Sequence, residues 1–162
     1  VYVKYVAGYV AAGDYRRANS LLSTGLIVTS CLCLCLFLLL CFGWSWIVTW
    51  VEIPAPLAGD AREVIFLIVT IFLISLALSA FGDALTGAQQ LATVQKIWVV
   101  SYLVETALIL ILVGLGRGIR GMAEAFVVRT LLEISLSTWI AFRRLPWLRI
   151  SPRLCSREAL RK

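Results

Sequence analysis

Arg129 and Glu133 stand four residues apart in FVVRTLLEISLS (126–137), a stretch otherwise apolar enough to lie in lipid. A charge at bilayer depth costs between about 2.5 and 17 kcal/mol, so something must offset it. On a helix the two residues are one turn apart, with Ser137 continuing the stripe. They can bond along the helix, which lowers the cost of each. A second carboxylate, Glu105, lies about as far before the glycine-rich GLGRGIRG (114–121) as Arg129 lies after it. Two antiparallel helices joined there would bring both groups to matched depth, roughly 15 Å below the turn. Ser101, four residues before Glu105, extends the same face. The spacing therefore predicts a Glu105–Arg129–Glu133 cluster between two spans.

Two roles fit such a cluster. It can clamp two helices and fix their rotation, as buried ion networks sometimes do. Alternatively it lines a water-filled cavity, meeting an anionic substrate or conducting protons. Two carboxylates around one Arg leave a local charge of about −1 when all are ionised, poor for holding a phosphate alone, and the clamp is the expected role. Thr70, Ser75 and Ser79 form a polar stripe on another span. They either face a cavity or glue helices together, as small polar residues do in membranes.

The elements that position these groups follow from composition. The 162 residues are 61% hydrophobic and 15% charged, with a mean hydropathy of +0.94. An ordinary soluble domain is about 25% charged, and a soluble fold of this size cannot hide so much apolar surface. The expected fold is all-α, a polytopic membrane helix bundle, because only helices or closed barrels satisfy the backbone in lipid. Spans are expected at 25–45, 63–82, 96–115 and 121–142, each near the ~20 residues a bilayer requires. Residues 1–20 read as the end of a helix plus a loop. The connections are the proline-bearing VEIPAPLAGDA (51–61), the polar GDALTGAQQLAT (82–93) and the Gly-rich hairpin. Residues 143–162 form a basic segment in which Ser151 and Pro152 could open a short helix.

Charge orients the bundle. Lys4, Arg16, Arg17, Lys96 and the seven Lys and Arg of 143–162 fall on one side, against Arg62, Arg117 and Arg120 on the other. Positive charge accumulates on the cytoplasmic side, so both ends are expected there, with anionic phospholipids as partners of the basic segment. The net charge of +6 is thereby assigned to topology and not to nucleic acid. Trp44, Trp46 and Trp50 at one interface and Trp98 and Trp139 near the other match aromatic belts.

Two tempting motifs dissolve on inspection. In CLCLC, alternate thiols (Cys31, Cys33, Cys35) point about 200° apart on a helix and cannot converge on one ion. No His is present to help, and no metal or cofactor is expected. GLGRGIRG lacks the strand a dinucleotide fingerprint needs. There is no nucleophile elbow and no pair of intramembrane Asp residues, so an enzyme is not expected. The chain opens on Val1, and its first residues read like the last turns of a helix; a fragment of a longer protein is expected.

In order and spacing the sequence resembles the polysaccharide-type flippases of the multidrug/oligosaccharidyl-lipid/polysaccharide exporter superfamily. VAGYVAAGDYRRANSLL (6–22) is similar to their loop after the second helix, with its Gly-Asp and following Ala and Leu. IWVVSYLVETALILILVGLGRGIRGMAEAFVVRTLLEISLS (97–137) looks like their fifth and sixth helices. The match carries Glu105, the lead-in Gly118, Ile119, Gly121 and Ala123, Arg129 with an acid four residues on, and Pro146 beyond. Arg117 and Arg120, in an outside loop, depart from the charge rule.

The resemblance implies helices 2 to 6 in the N-lobe of a two-lobe exporter in the bacterial plasma membrane, completed by the remainder of its own chain. It implies that a lipid-linked oligosaccharide, an undecaprenyl-diphosphate precursor, is flipped by alternating access. The family's anion-holding basic residues lie largely on other helices and are not carried over. A cation-coupled multidrug exporter of the same superfamily, which the buried carboxylates would suit, and a four-helix membrane scaffold without transport stand as alternatives.

Overall fold

The computed structural model describes residues 2–51 and 58–149. Among them the chain is all-α, with the order α1 (Tyr2–Ala11), α2 (Tyr15–Val51), α3 (Ala58–Leu78), α4 (Ala80–Gly87), α5 (Leu91–Gly114) and α6 (Gly118–Arg144). Four helices are long and apolar enough to cross a membrane: α2, α3 continued by α4 over 59–87, α5 and α6. The chain reads as a multi-pass membrane protein. The centre of the 51–61 loop, Cys155, the Ser151–Pro152 start and most of the basic segment lie outside the described residues.

The ends of the elements have local causes. Gly13 (φ 72°) ends α1, its N–H donating to the Val10 carbonyl while the Asp14 N–H donates to that of Tyr9. This is the paired bond pattern that a left-handed residue allows. Asp14 then caps α2 by accepting the Arg17 N–H at 3.1 Å. Gly13–Asp14 thus closes one helix and opens the next, a physical reason for that dipeptide. Gly116 (φ 79°) ends α5 in the same way, with Arg117 N–H donating to Leu112 and Gly116 N–H to Val113.

Two readings of the polar connections are corrected. The 82–93 stretch is not a loop: residues 80–87 form α4, which buries Phe81, Ala84, Leu85 and Gly87. Alternating polar and small residues masked a short amphipathic helix, leaving Ala88–Gln90 as the turn. Likewise α2 starts at Tyr15 rather than near 25, because the Asp14 cap acts ten residues earlier; the expected loop within 1–20 is only Ala12–Asp14.

The spans pack in a row, α2 beside α3, α3 beside α6 and α6 beside α5, while α1 lies on α4 and α2. The largest buried cluster sits at the basic end, where Val6, Leu22, Phe81, Ala84, Leu85, Ala141, Leu145 and Leu148 meet. Farther along, small residues make the seams: α6 buries Gly121, Ala123, Ala125 and Thr130, as membrane helix pairs do to bring backbones close. Outward faces carry Leu39, Phe42, Leu103 and Leu110, all exposed, the surface lipid or further helices would cover. Cys33 is buried while Cys31 and Cys35 are exposed, as alternate helical positions must be. Among the Trp residues, Trp44 turns onto Phe66 (centroids 5.5 Å apart), whereas Trp46 and Trp50 face outward.

Asn19 fastens the segment after α6. Its side-chain amide donates to the Trp147 carbonyl at 2.7 Å and accepts the Arg149 N–H at 2.9 Å. Tyr15 stacks on Trp147 at 5.3 Å. Asn19→Ala leaves both backbone groups unpaired beside buried Leu148, at about 1–3 kcal/mol. Faster amide hydrogen exchange at Leu148 and Arg149, with α5 unaffected, is the expected result in the full-length protein.

Candidate functional site: the charged seam between two spans

The α5–α6 hairpin turns within Leu115–Arg117, and the two helices run back antiparallel. Gly121 allows their approach: a Cβ there would lie 2.9 Å from Leu112 Cβ and 3.0 Å from Arg117 Cβ. Counting equally from the turn in both directions brings Glu105 and Arg129 to one level, roughly 17 Å along α6 from Gly118, near the middle of the span.

At that level Arg129 Nη2 donates to Glu133 Oε2 at 2.8 Å along α6. Across the seam, Arg129 Nε lies 3.8 Å from Glu105 Oε2, an ion pair without a hydrogen bond. The side chains are nearly enclosed, Arg129 14%, Glu105 15% and Glu133 25% exposed. Tyr102 lies over the guanidinium, 4.3 Å from ring centroid to Cζ, and Phe126 lies 5.6 Å away. The guanidinium thus has carboxylates on its nitrogens and lies over aromatic rings, surroundings that suit a delocalised, weakly hydrated cation.

The three charged residues expected together are together. Ser101 is fully buried in α5, and its hydroxyl, like Arg129 Nε, has no hydrogen-bond partner among the described residues. Ser137 and Ser75 are half-buried and take no part in the cluster's hydrogen bonds. Ser79 is separate: it lies at the break between α3 and α4 and lines a hollow of about 40 Å³ with Leu22, Gly25, Thr29, Ala77, Ala80 and Asp83. Neither Tyr102 nor Asp83 was singled out from the sequence. Tyr102 stands three residues before Glu105, a helical spacing that could have flagged it; Asp83 was hidden by reading its segment as loop.

No known protein family, curated protein or solved structure matches the chain. The functional reading therefore rests on the chemistry of these residues and on the resemblance carried by the motifs.

The far end shows why Arg117 and Arg120 tolerate their placement. Arg117 Nη1 donates to Glu124 Oε1 at 2.7 Å and Arg120 Nη2 to Glu63 Oε1 at 2.7 Å. Their charge is balanced by carboxylates, and the Arg120–Glu63 pair ties α6 to α3. At the basic end, by contrast, Arg144 bonds, among the described residues, only the neutral Gln90 and Thr93, and Arg143 lies over Trp139.

Proposed function

We propose that the chain forms part of the N-lobe of a membrane transporter that flips a lipid-linked oligosaccharide or polysaccharide precursor across the bacterial plasma membrane. On this reading the substrate is carried on undecaprenyl diphosphate, the lobe works by alternating access, and both ends of the segment are cytoplasmic, their basic residues facing anionic phospholipids. One observation carries the proposal: Arg129 held near mid-span between Glu105 and Glu133, at the positions where the resembling flippases place a Glu and an Arg-acid pair. Charges inside membrane spans pair with one another and mark substrate and ion pathways.

The test is reconstitution of the full-length protein in vesicles holding a fluorescent undecaprenyl-diphosphate-linked oligosaccharide, with a membrane-impermeant glycosidase outside. Protein-dependent exposure of the initially protected inner-leaflet fraction is expected. Exposure no faster than in protein-free vesicles refutes the proposal.

A second reading, a cation-coupled multidrug exporter, is favoured by the two carboxylates sharing one Arg. It predicts efflux of a lipophilic cationic dye under an ion gradient, with the glycolipid left in place. A scaffold predicts neither movement.

A further inference from the structure

The basic residues at the two ends of the bundle are not treated alike. At the hairpin end, Arg117 and Arg120 each have a carboxylate partner. At the other end Lys4, Arg16, Lys96, Arg143, Arg144 and Arg149 have none among the described residues, and only Arg17 is paired, with Asp14 at 3.3 Å. Cations suit the last turn of a helix, where Arg143 and Arg144 stand. That accounts for their sign but not for the way Arg144 is held.

Arg144 reaches across the seam to the start of α5. Its Nη1 donates to Gln90 Oε1 at 2.7 Å and to Thr93 Oγ1 at 3.0 Å, while the Thr93 hydroxyl donates to the same Gln90 oxygen at 3.3 Å. Both hydrogens of Nη1 are thereby used, on neutral acceptors that leave the charge uncompensated. The Nε–Nη2 edge, able to offer two parallel N–H groups to a carboxylate or phosphate, is engaged by nothing among the described residues. Lys96 is exposed and stands three residues beyond Thr93, one turn farther into α5. Arg143 lies over Trp139 at 5.2 Å. Inward of the cations come the exposed rings of Trp98 and Trp139, then Val99, Leu103 and Leu131, also exposed. The surface runs from cation to aromatic to aliphatic, the order in which a phospholipid presents phosphate, glycerol ester and acyl chain.

We propose that Arg144, with Lys96 and Arg143, forms a discrete binding site for the phosphodiester of an anionic phospholipid at the basic end of the α5–α6 seam. The open edge of Arg144 takes two phosphate oxygens. Lys96 and Arg143 add positive charge, which sets a headgroup of net negative charge above one carrying its own ammonium. Basic pockets between membrane helices are a recurring place for such headgroups. The inference deepens one clause of the functional reading, the facing of basic residues to anionic phospholipid, and holds whichever cargo the protein carries.

The test uses the full-length protein in neutral detergent, titrated with phosphatidylglycerol, alone or against excess inorganic phosphate, and separately with phosphatidylcholine. Native mass spectrometry reads the fraction of protein carrying lipid. Saturable phosphatidylglycerol binding is expected, tighter than that of phosphatidylcholine and not displaced by phosphate. It should weaken severalfold in Arg144→Gln and stay unchanged in Arg16→Gln, which removes the same charge at the same end but on α2. Should Arg144→Gln not fold, Lys96→Gln gives the same comparison. No loss in Arg144→Gln, or an equal loss in Arg16→Gln, overturns the proposal by making the attraction diffuse. Displacement by phosphate overturns it too, because the site would then take any free anion. A failed flipping assay with this binding intact refutes the transport reading and leaves the lipid site standing.

Discussion

Arg129→Leu is expected to cost the full-length protein about 3–5 kcal/mol, the penalty for removing one partner of an enclosed ion pair and leaving the others uncompensated. Two carboxylates, 15% and 25% exposed, would then face each other across the seam without a cation. Membrane-inserted yield and the thermal midpoint should both fall sharply. The informative comparison is the variant with Glu105, Arg129 and Glu133 replaced together by Met, Leu and Met. Removing a whole buried ion network is often neutral or stabilising, so this protein should recover most of the lost stability. Its behaviour in the glycolipid assay then separates the two roles. A stable protein that still flips its substrate makes the cluster a clamp; a stable protein that does not makes it part of the pathway. Arg129→Leu with unchanged insertion and unchanged transport would defeat both.

The second large effect is expected at Gly121. A Cβ at this position comes within 3.0 Å of both Leu112 Cβ and Arg117 Cβ and 3.4 Å from the Leu112 carbonyl carbon. These atoms sit at or next to the backbone and cannot swing aside, so α5 and α6 must separate. Gly121→Leu is expected to cost about 1–3 kcal/mol, the usual range for overpacking. It should also widen the Glu105–Arg129 gap, already at 3.8 Å. Cysteines placed at 105 and 129 in a cysteine-free background would then cross-link more slowly than with Gly121 intact. Equal cross-linking rates would show that the seam does not depend on close approach there.

Those two sites mark what the sequence revealed and what it hid. The four apolar runs, the hairpin at GLGRGIRG and the matched spacing of Glu105 and Arg129 are all one-dimensional facts. A straight helix converts residue number into depth at a fixed rise, so the pairing could be read by counting. Rotation about each axis and lateral neighbours cannot be counted in this way. Spacing puts Tyr102 on the Glu105 face of α5, but its ring lying over the Arg129 guanidinium is a matter of rotation that only the fold shows. The α4 helix escaped for another reason. Gly82, Asp83, Thr86 and Gly87 are residues of turns when seen singly, yet Phe81, Ala84 and Leu85 bury one face against α1 and α6, and packing overrides their local preference. Asn19, the tie to Trp147 and Arg149, pairs with residues some 130 positions away, and no local pattern announces such a partner.

The two ties at opposite ends of the row have a mechanical consequence. Asn19 joins the start of α2 to the chain leaving α6 at one end, and Glu63 joins α3 to α6 at the other. Any slide of α6 along its neighbours would strain both fastenings at once. The spans α2, α3 and α6 are thus braced like a plank pinned at both edges. Tilting of the whole plank against another body is the motion left soft, and a lobe that must rock without coming apart would use it.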